Sequence, residues 1–140
     1  MTNAAIDRDT FAITFQRRVR ASREDVFDAW TKPEELSAWW DPAGREIACE
    51  IDLRVGGAFR FGNGEHGLVG VYKVVDRPAE LVFEANGSIG TVRISDDGDG
   101  TTKVDVTIRC ASAEQLETML KMGVAEGTGR TLDNLVRYLS

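Results

Sequence analysis

Between Ile47 and Cys110 the chain repeats one pattern: a short alternation of apolar and polar residues, then a turn rich in glycine, asparagine or aspartate. Period-two alternation sends one strand face to a core and the other to water. Ile47, Cys49, Ile51 and Leu53 alternate with Ala48, Glu50, Asp52 and Arg54, and Gly56-Gly57 then offers a turn that tolerates positive φ. Phe59 and Phe61 share a face of the next strand, and further strands run over Leu68 to Val75, Leu81 to Phe83, Ile89 to Ile94 and Thr102 to Cys110. Asn86-Gly87 is the strongest hairpin signal, because both central residues of a tight hairpin turn need positive φ. Strands in hairpin order build an antiparallel sheet, and its apolar face must be covered.

The cover has to come from the two ends of the chain. Phe11, Ile13, Phe15, Arg17 and Val19 fall on one parity and predict a first strand with that face buried. Arg17 is the oddity there: either the strand runs past the core, or an inward guanidinium meets an anion or carboxylate. Ser22 with Asp25 spells a capping box, followed by Val26, Ala29 and Trp30 at helical spacing. Thr31 with Glu34 around Pro33 repeats that signature and predicts a second short helix, which Pro42 stops. Ser112 with Gln115 opens the one long helix, expected to reach Leu139. Its apolar residues change face midway, from Leu116, Met119 and Leu120 to Leu132, Leu135 and Val136. Gly123, Gly127 and Gly129 lie between, so the helix is expected to bend there and to let something approach its backbone.

At 140 residues, with a net charge of −6, the chain suits a single domain, residues 1–140, whose first nine residues are expected to be flexible. The acidic balance argues against nucleic acid or an anionic membrane face as partner. No run of about 18 apolar residues suggests membrane insertion, and the start lacks a cationic then apolar leader, so the expected compartment is the cytoplasm. Cys49 and Cys110 have no histidine cluster beside them, so neither a metal nor another cofactor is expected. Gly62-x-Gly64-x-x-Gly67 has a dinucleotide-binding spelling, but it joins strand to strand and lacks the helix that cradles phosphate.

Five stretches together carry a resemblance: Pro33-Glu34-Glu35-Leu36-x-x-Trp39-Trp40-x-Pro42, Asp52-Leu53-Arg54-x-Gly56-Gly57-x-Phe59, Gly70-x-Tyr72, Leu81-Val82-Phe83, and Leu132-x-x-Leu135-x-x-Tyr138-Leu139. In this order and spacing the chain resembles the family of homologues of the activator of heat-shock-protein ATPase (AHSA-type), within the START-like, or SRPBCC, helix-grip superfamily. The resemblance implies an α+β fold: a curved antiparallel sheet of about seven strands around a long C-terminal helix, with two short helices after the first strand. It also implies a cavity between sheet and helix for an apolar small molecule or lipid-like ligand. Where many relatives carry a tryptophan in the long helix, this chain has Thr128, which enlarges or rewets the cavity there.

Trp39, Trp40, Phe59, Phe61, Tyr72, Phe83 and Met119, with Gly123 and Gly127, form the candidate cavity lining; each alone also suits an ordinary core. Arg17, His66 and Arg93 are candidate polar contacts. Three functions compete. Binding of an apolar or aromatic metabolite comes first, and a cyclase- or hydrolase-like enzyme second, with His66, Arg17 or Tyr72 facing the pocket to move a proton. A chaperone-interacting module comes third, since it needs an exposed apolar patch while the outward strand faces look charged. No catalytic constellation is recognisable, and self-association through a sheet edge or the Trp39-Trp40 rim stays open.

Overall fold

Backbone pairing follows the alternation. The computed structural model describes residues 4–41, 49–61 and 68–139. In chain order it comprises β1 (Ala5–Asp7), β2 (Ala12–Val19), α1 (Arg23–Thr31), α2 (Pro33–Trp39), β3 (Cys49–Ile51), β4 (Ala58–Phe61), β5 (Leu68–Asp76), β6 (Glu80–Ala85), β7 (Ser88–Gly98), β8 (Thr101–Arg109), α3 (Ala113–Lys121) and α4 (Val124–Tyr138). The strands form one curved antiparallel sheet in the order β1-β2-β8-β7-β6-β5-β4-β3, with the helices gathered on its inner face in an α+β, helix-grip arrangement. That is one strand more than expected, because Ala5–Asp7, within the segment expected to be flexible, pairs with Ala12–Thr14.

The parity of β2 holds: Ile13, Phe15, Arg17 and Val19 are all buried. β2 lies against β8 from the pair Ala12 and Arg109 to the pair Val19 and Thr102, so the first long strand and the last one are neighbours. β3 is shorter than the alternation suggested, and Leu53 points outward at 40% exposure. The Asp52 amide donates to Ala58 O at 3.0 Å and that of Arg54 to Asp52 O at 2.9 Å, which curls the chain out of strand geometry before Leu53 can turn inward. Gly56, at φ 83°, completes this turn. Pro42, Ile47 and the Gly62–Gly67 loop lie outside the described residues.

Two of the three capping boxes form. Ser22 Oγ accepts from the Asp25 amide and Ser112 Oγ from the Gln115 amide, each at 3.1 Å. The Thr31 box does not: Thr31 closes α1, its hydroxyl donating to Phe27 O at 2.8 Å, and α2 starts at Pro33 with no side-chain cap. The single long helix is in fact two. Gly123 adopts the left-handed conformation (φ 79°), ends the α3 segment and starts α4. The change of apolar face is thereby explained, since α3 buries Leu116 while α4 separately buries Leu132 and Leu135.

The start of α3 is pinned to the β6–β7 hairpin. Gln115 donates through Nε2 to Asn86 O at 2.9 Å and accepts from the Ala111 amide at 2.6 Å. Asn86 and Gly87 both have positive φ (54° and 79°), as a type I′ turn requires. Polar side chains of α4 cap the end of α2: Thr131 donates to Trp40 O at 3.0 Å and Asn134 to Asp41 O at 2.9 Å. Among the described residues no helix is long and apolar enough to cross a membrane.

Candidate functional site

The space under the sheet divides into a filled half and a hollow one. In the filled half, Phe59, Phe61 and Tyr72 are at most 5% exposed and their rings interlock, with centroids 4.7 Å apart for Phe59 and Phe61 and 5.0 Å for Phe59 and Tyr72. Trp39 is 1% exposed, stands edge-on to Trp30 at 4.8 Å and donates from Nε1 to Ala29 O at 3.0 Å. These four residues, expected at the cavity wall, are core.

The hollow half is a cavity of about 380 Å³. Its sheet wall is built from Phe83, Ala85, Ser88, Gly90, Val106 and Ile108, with Leu68 at one side. Inward positions on β6 and β7 are therefore filled by small residues where neighbouring layers carry Leu81, Val92 and Ile94. Gly90 has a further role: a Cβ there would collide with the Phe83 ring, so the glycine lets that ring lie flat on the sheet. The opposite wall comes from Trp30, Trp40, Met119 and, on α4, Val124, Gly127, Thr128, Thr131 and Leu132. A Cβ on Gly127 would meet nothing within 4 Å, so the glycine leaves real space. Asn86 is exposed at the rim, which places the opening between the β6–β7 turn and the first turns of α4.

Four expected lining residues, Trp40, Phe83, Met119 and Gly127, thus meet at the cavity, as does Thr128. Gly123 is used instead for the joint between α3 and α4. The polar candidates fall elsewhere. Arg17 points inward, but its guanidinium donates to Asp133 Oδ1 at 3.0 Å, Gln16 O at 3.0 Å and Gly129 O at 3.3 Å, tying β2 to α4. It takes the carboxylate alternative and does not line the cavity. Arg93 lies on the outer face, paired with Glu80 at 2.9 Å. His66 lies outside the described residues. Trp30, Ala85, Ser88 and Gly90 were missed; the signal available for the last three was their small size at inward parity.

Burial governs the titrating groups nearby. Tyr72 OH is buried without a hydrogen-bond partner, and burial, reinforced by neighbouring Cys49, pushes its phenol well above the usual range. Burial lifts the Cys49 thiol to about 11. It also raises that of Cys110, whose sulfur sits 3.5 Å from that of Met119. All three stay protonated at neutral pH, so none is poised to accept a proton there. None of the described lining residues is titratable.

Similar folds accompany this geometry in proteins of distant sequence. A protein from Nitrosomonas europaea superposes with a TM-score of 0.82 at 21% identity, covering 96% of each chain. Protein Ms6760 from Mycobacterium smegmatis gives 0.79 at 21% identity over 97% of this chain and 95% of its own. An HSP90 activator from Plasmodium falciparum gives 0.62 at 21% identity over 83% and 89%. No protein of curated function matches the sequence. The family model described as activator of Hsp90 ATPase homolog 1-like protein matches residues 20–140, and with nearly the whole domain matched, the chain belongs to that family.

Proposed function

We propose that this protein binds an apolar or aromatic small molecule in the cavity between α4 and the β6–β8 part of the sheet. The observation that carries the reading is the volume: about 380 Å³ lies between apolar walls, within the range that holds small ligands. Close-packed interiors do not leave such space unless small residues are placed to make it. Thermal-shift screening of naphthalenes, phenolics, polyketide-like aromatics and fatty alcohols tests the reading. The wild type rises in Tm with at least one class, whereas Gly127→Leu, whose side chain extends into the void, folds but gives no shift. A wild type indifferent to every class ends it.

A second reading, activation of a chaperone ATPase, is favoured by the family description and by one surface feature. Val69 and Val71 are 52% and 37% exposed on the outer face of β5, so that face is less uniformly charged than the sequence suggested. Pull-down with Hsp90, comparing the wild type with Val69→Asp/Val71→Asp, separates this reading from the first. The enzyme reading has lost two of its three proton carriers: Tyr72 lies in the filled half and Arg17 is engaged by α4.

A further inference from the structure

One piece of the cavity wall is held less firmly than the rest. α3 starts at the β6–β7 turn on one side of the opening and ends where α4 begins on the other, and its Met119 belongs to the lining. Yet α3 buries only Leu116, whereas α4 buries Ala125, Gly129, Thr131, Leu132 and Leu135. An element with so little buried apolar surface opens at a lower free energy than its neighbours.

Both ends of α3 are joints. Ahead of it, the Cys110 amide donates to Phe11 O at 2.8 Å, which fixes the end of β8, but Ala111 and Ser112 are exposed. Behind it, Gly123 breaks the helix in the left-handed conformation without a side-chain cap, and Met122 beside it is 75% exposed, so little packs over the joint. What fastens α3 between these joints is mostly polar. The Gln115 side chain spends both ends of its amide there, donating to Asn86 O at 2.9 Å and accepting from the Ala111 amide at 2.6 Å. Arg8 and Glu117 add an ion pair at 3.1 Å, well exposed on both sides. Exposed bonds of this kind exchange readily with water.

Resting on the cavity-binding reading above, we propose that α3 is a strap over the cavity mouth, which lifts between its two joints to admit and release the occupant, with Gln115 as its latch. Lifting carries Met119 out of the lining and exposes Leu116, so the raised state is a minor one reached from a closed majority. Gln115 does not line the cavity, so it sets the rate of passage and leaves affinity alone.

Hydrogen exchange of the full chain without ligand, followed by mass spectrometry, tests the motion. In the wild type, residues 113–121 exchange together and earlier than the buried turns of α4. Gln115→Met, similar in size but unable to make either bond, speeds exchange of α3 about tenfold, the worth of one hydrogen bond, and leaves α4 unchanged. If α3 exchanges only with α4, or the variant speeds both alike, there is no strap. Stopped-flow fluorescence with the neutral dye N-phenyl-1-naphthylamine tests the passage. Gln115→Met raises the association and dissociation rates by the same factor, about tenfold, and Kd stays within about twofold. A variant that changes Kd through dissociation alone overturns the latch, because Gln115 then holds the bound state rather than the door. Where the wild type ignores the dye but is stabilised by a compound of the thermal-shift panel, the rates of that compound are followed by tryptophan fluorescence and judged in the same way. If neither the dye nor the panel binds, the cavity-binding reading falls and the gating role falls with it, whatever the exchange of α3.

Discussion

The filled and hollow halves of the interior are built from the same kinds of residue, yet only one leaves space. Around Phe59 each ring finds another at about 5 Å, whereas around Phe83 the neighbouring inward positions are Ala85, Ser88 and Gly90. Aromatic side chains do not by themselves make a pocket; they fill one another's gaps until small residues interrupt them. Phe83 marks the boundary, its ring edge-on to Phe59 at 5.4 Å on one side and bare to the cavity on the other.

Truncation on either side of that boundary is the strongest way to break the comparison. Phe59→Ala should cost about 3–5 kcal/mol, the range for emptying an aromatic site in a tight core. Met119→Ala, at the edge of existing space, should cost about 1 kcal/mol, since its side chain is only partly buried and has less packing to lose. Urea unfolding with matched m-values measures both, and equal losses would erase the distinction between the halves.

Added bulk gives the next largest effect. A Cβ on Gly70 would strike both the backbone oxygen of Glu84 and the Phe59 ring, inside the filled half. Gly70→Ala should therefore destabilise by about 1–3 kcal/mol or more. A Cβ on Gly90 strikes only the Phe83 ring, which has a void to move into. Gly90→Ala should be the milder of the two in thermal unfolding and should reduce ligand capacity as the ring swings inward. The reverse ranking would contradict the hollow.

Smaller still, and opposite in sign, is Gly127→Ala. Its methyl meets open space and its backbone is already helical, so stability should rise by about 0.4–1 kcal/mol through a less flexible unfolded chain.

The smallest effect concerns alkaline pH. Cys49 is held protonated to about 11 in the folded chain, against 9.0 ordinarily. As pH rises past about 9 the unfolded chain releases this proton first, so this contribution is intact below pH 9, declines between 9 and 11 and is level beyond. Alkylation by iodoacetamide should correspondingly be slow at pH 8 and climb toward pH 11, and Cys49→Ser should lose this slope.

The fold was legible because strand parity and turn chemistry are local. Ile13, Phe15 and Val19 could be placed inward by counting in twos, and Asn86-Gly87 could be read as a hairpin from two residues. The site was only half legible, because a void depends on which inward positions face one another across the interior. Nothing local ties Gly127 to Ser88 and Gly90, which meet it only after the β7–α4 packing is made. Size supplied the wrong criterion: Trp39 and Tyr72 drew attention through their area, whereas the space owes more to residues with little side chain. Arg17 was legible as an anomaly, but its partner Asp133 stands 116 residues away.

The place of β8 in the sheet bears on how the chain is made. It sits between β2 and β7, although it is the last strand to be synthesised. A nascent chain leaving the ribosome therefore holds two bare strand edges, one on β2 and one on β7, until residues 101–109 arrive to zip them together. Unpaired edges recruit other chains, so the interval before that closure is when this polypeptide is most exposed to aggregation and most in need of shielding.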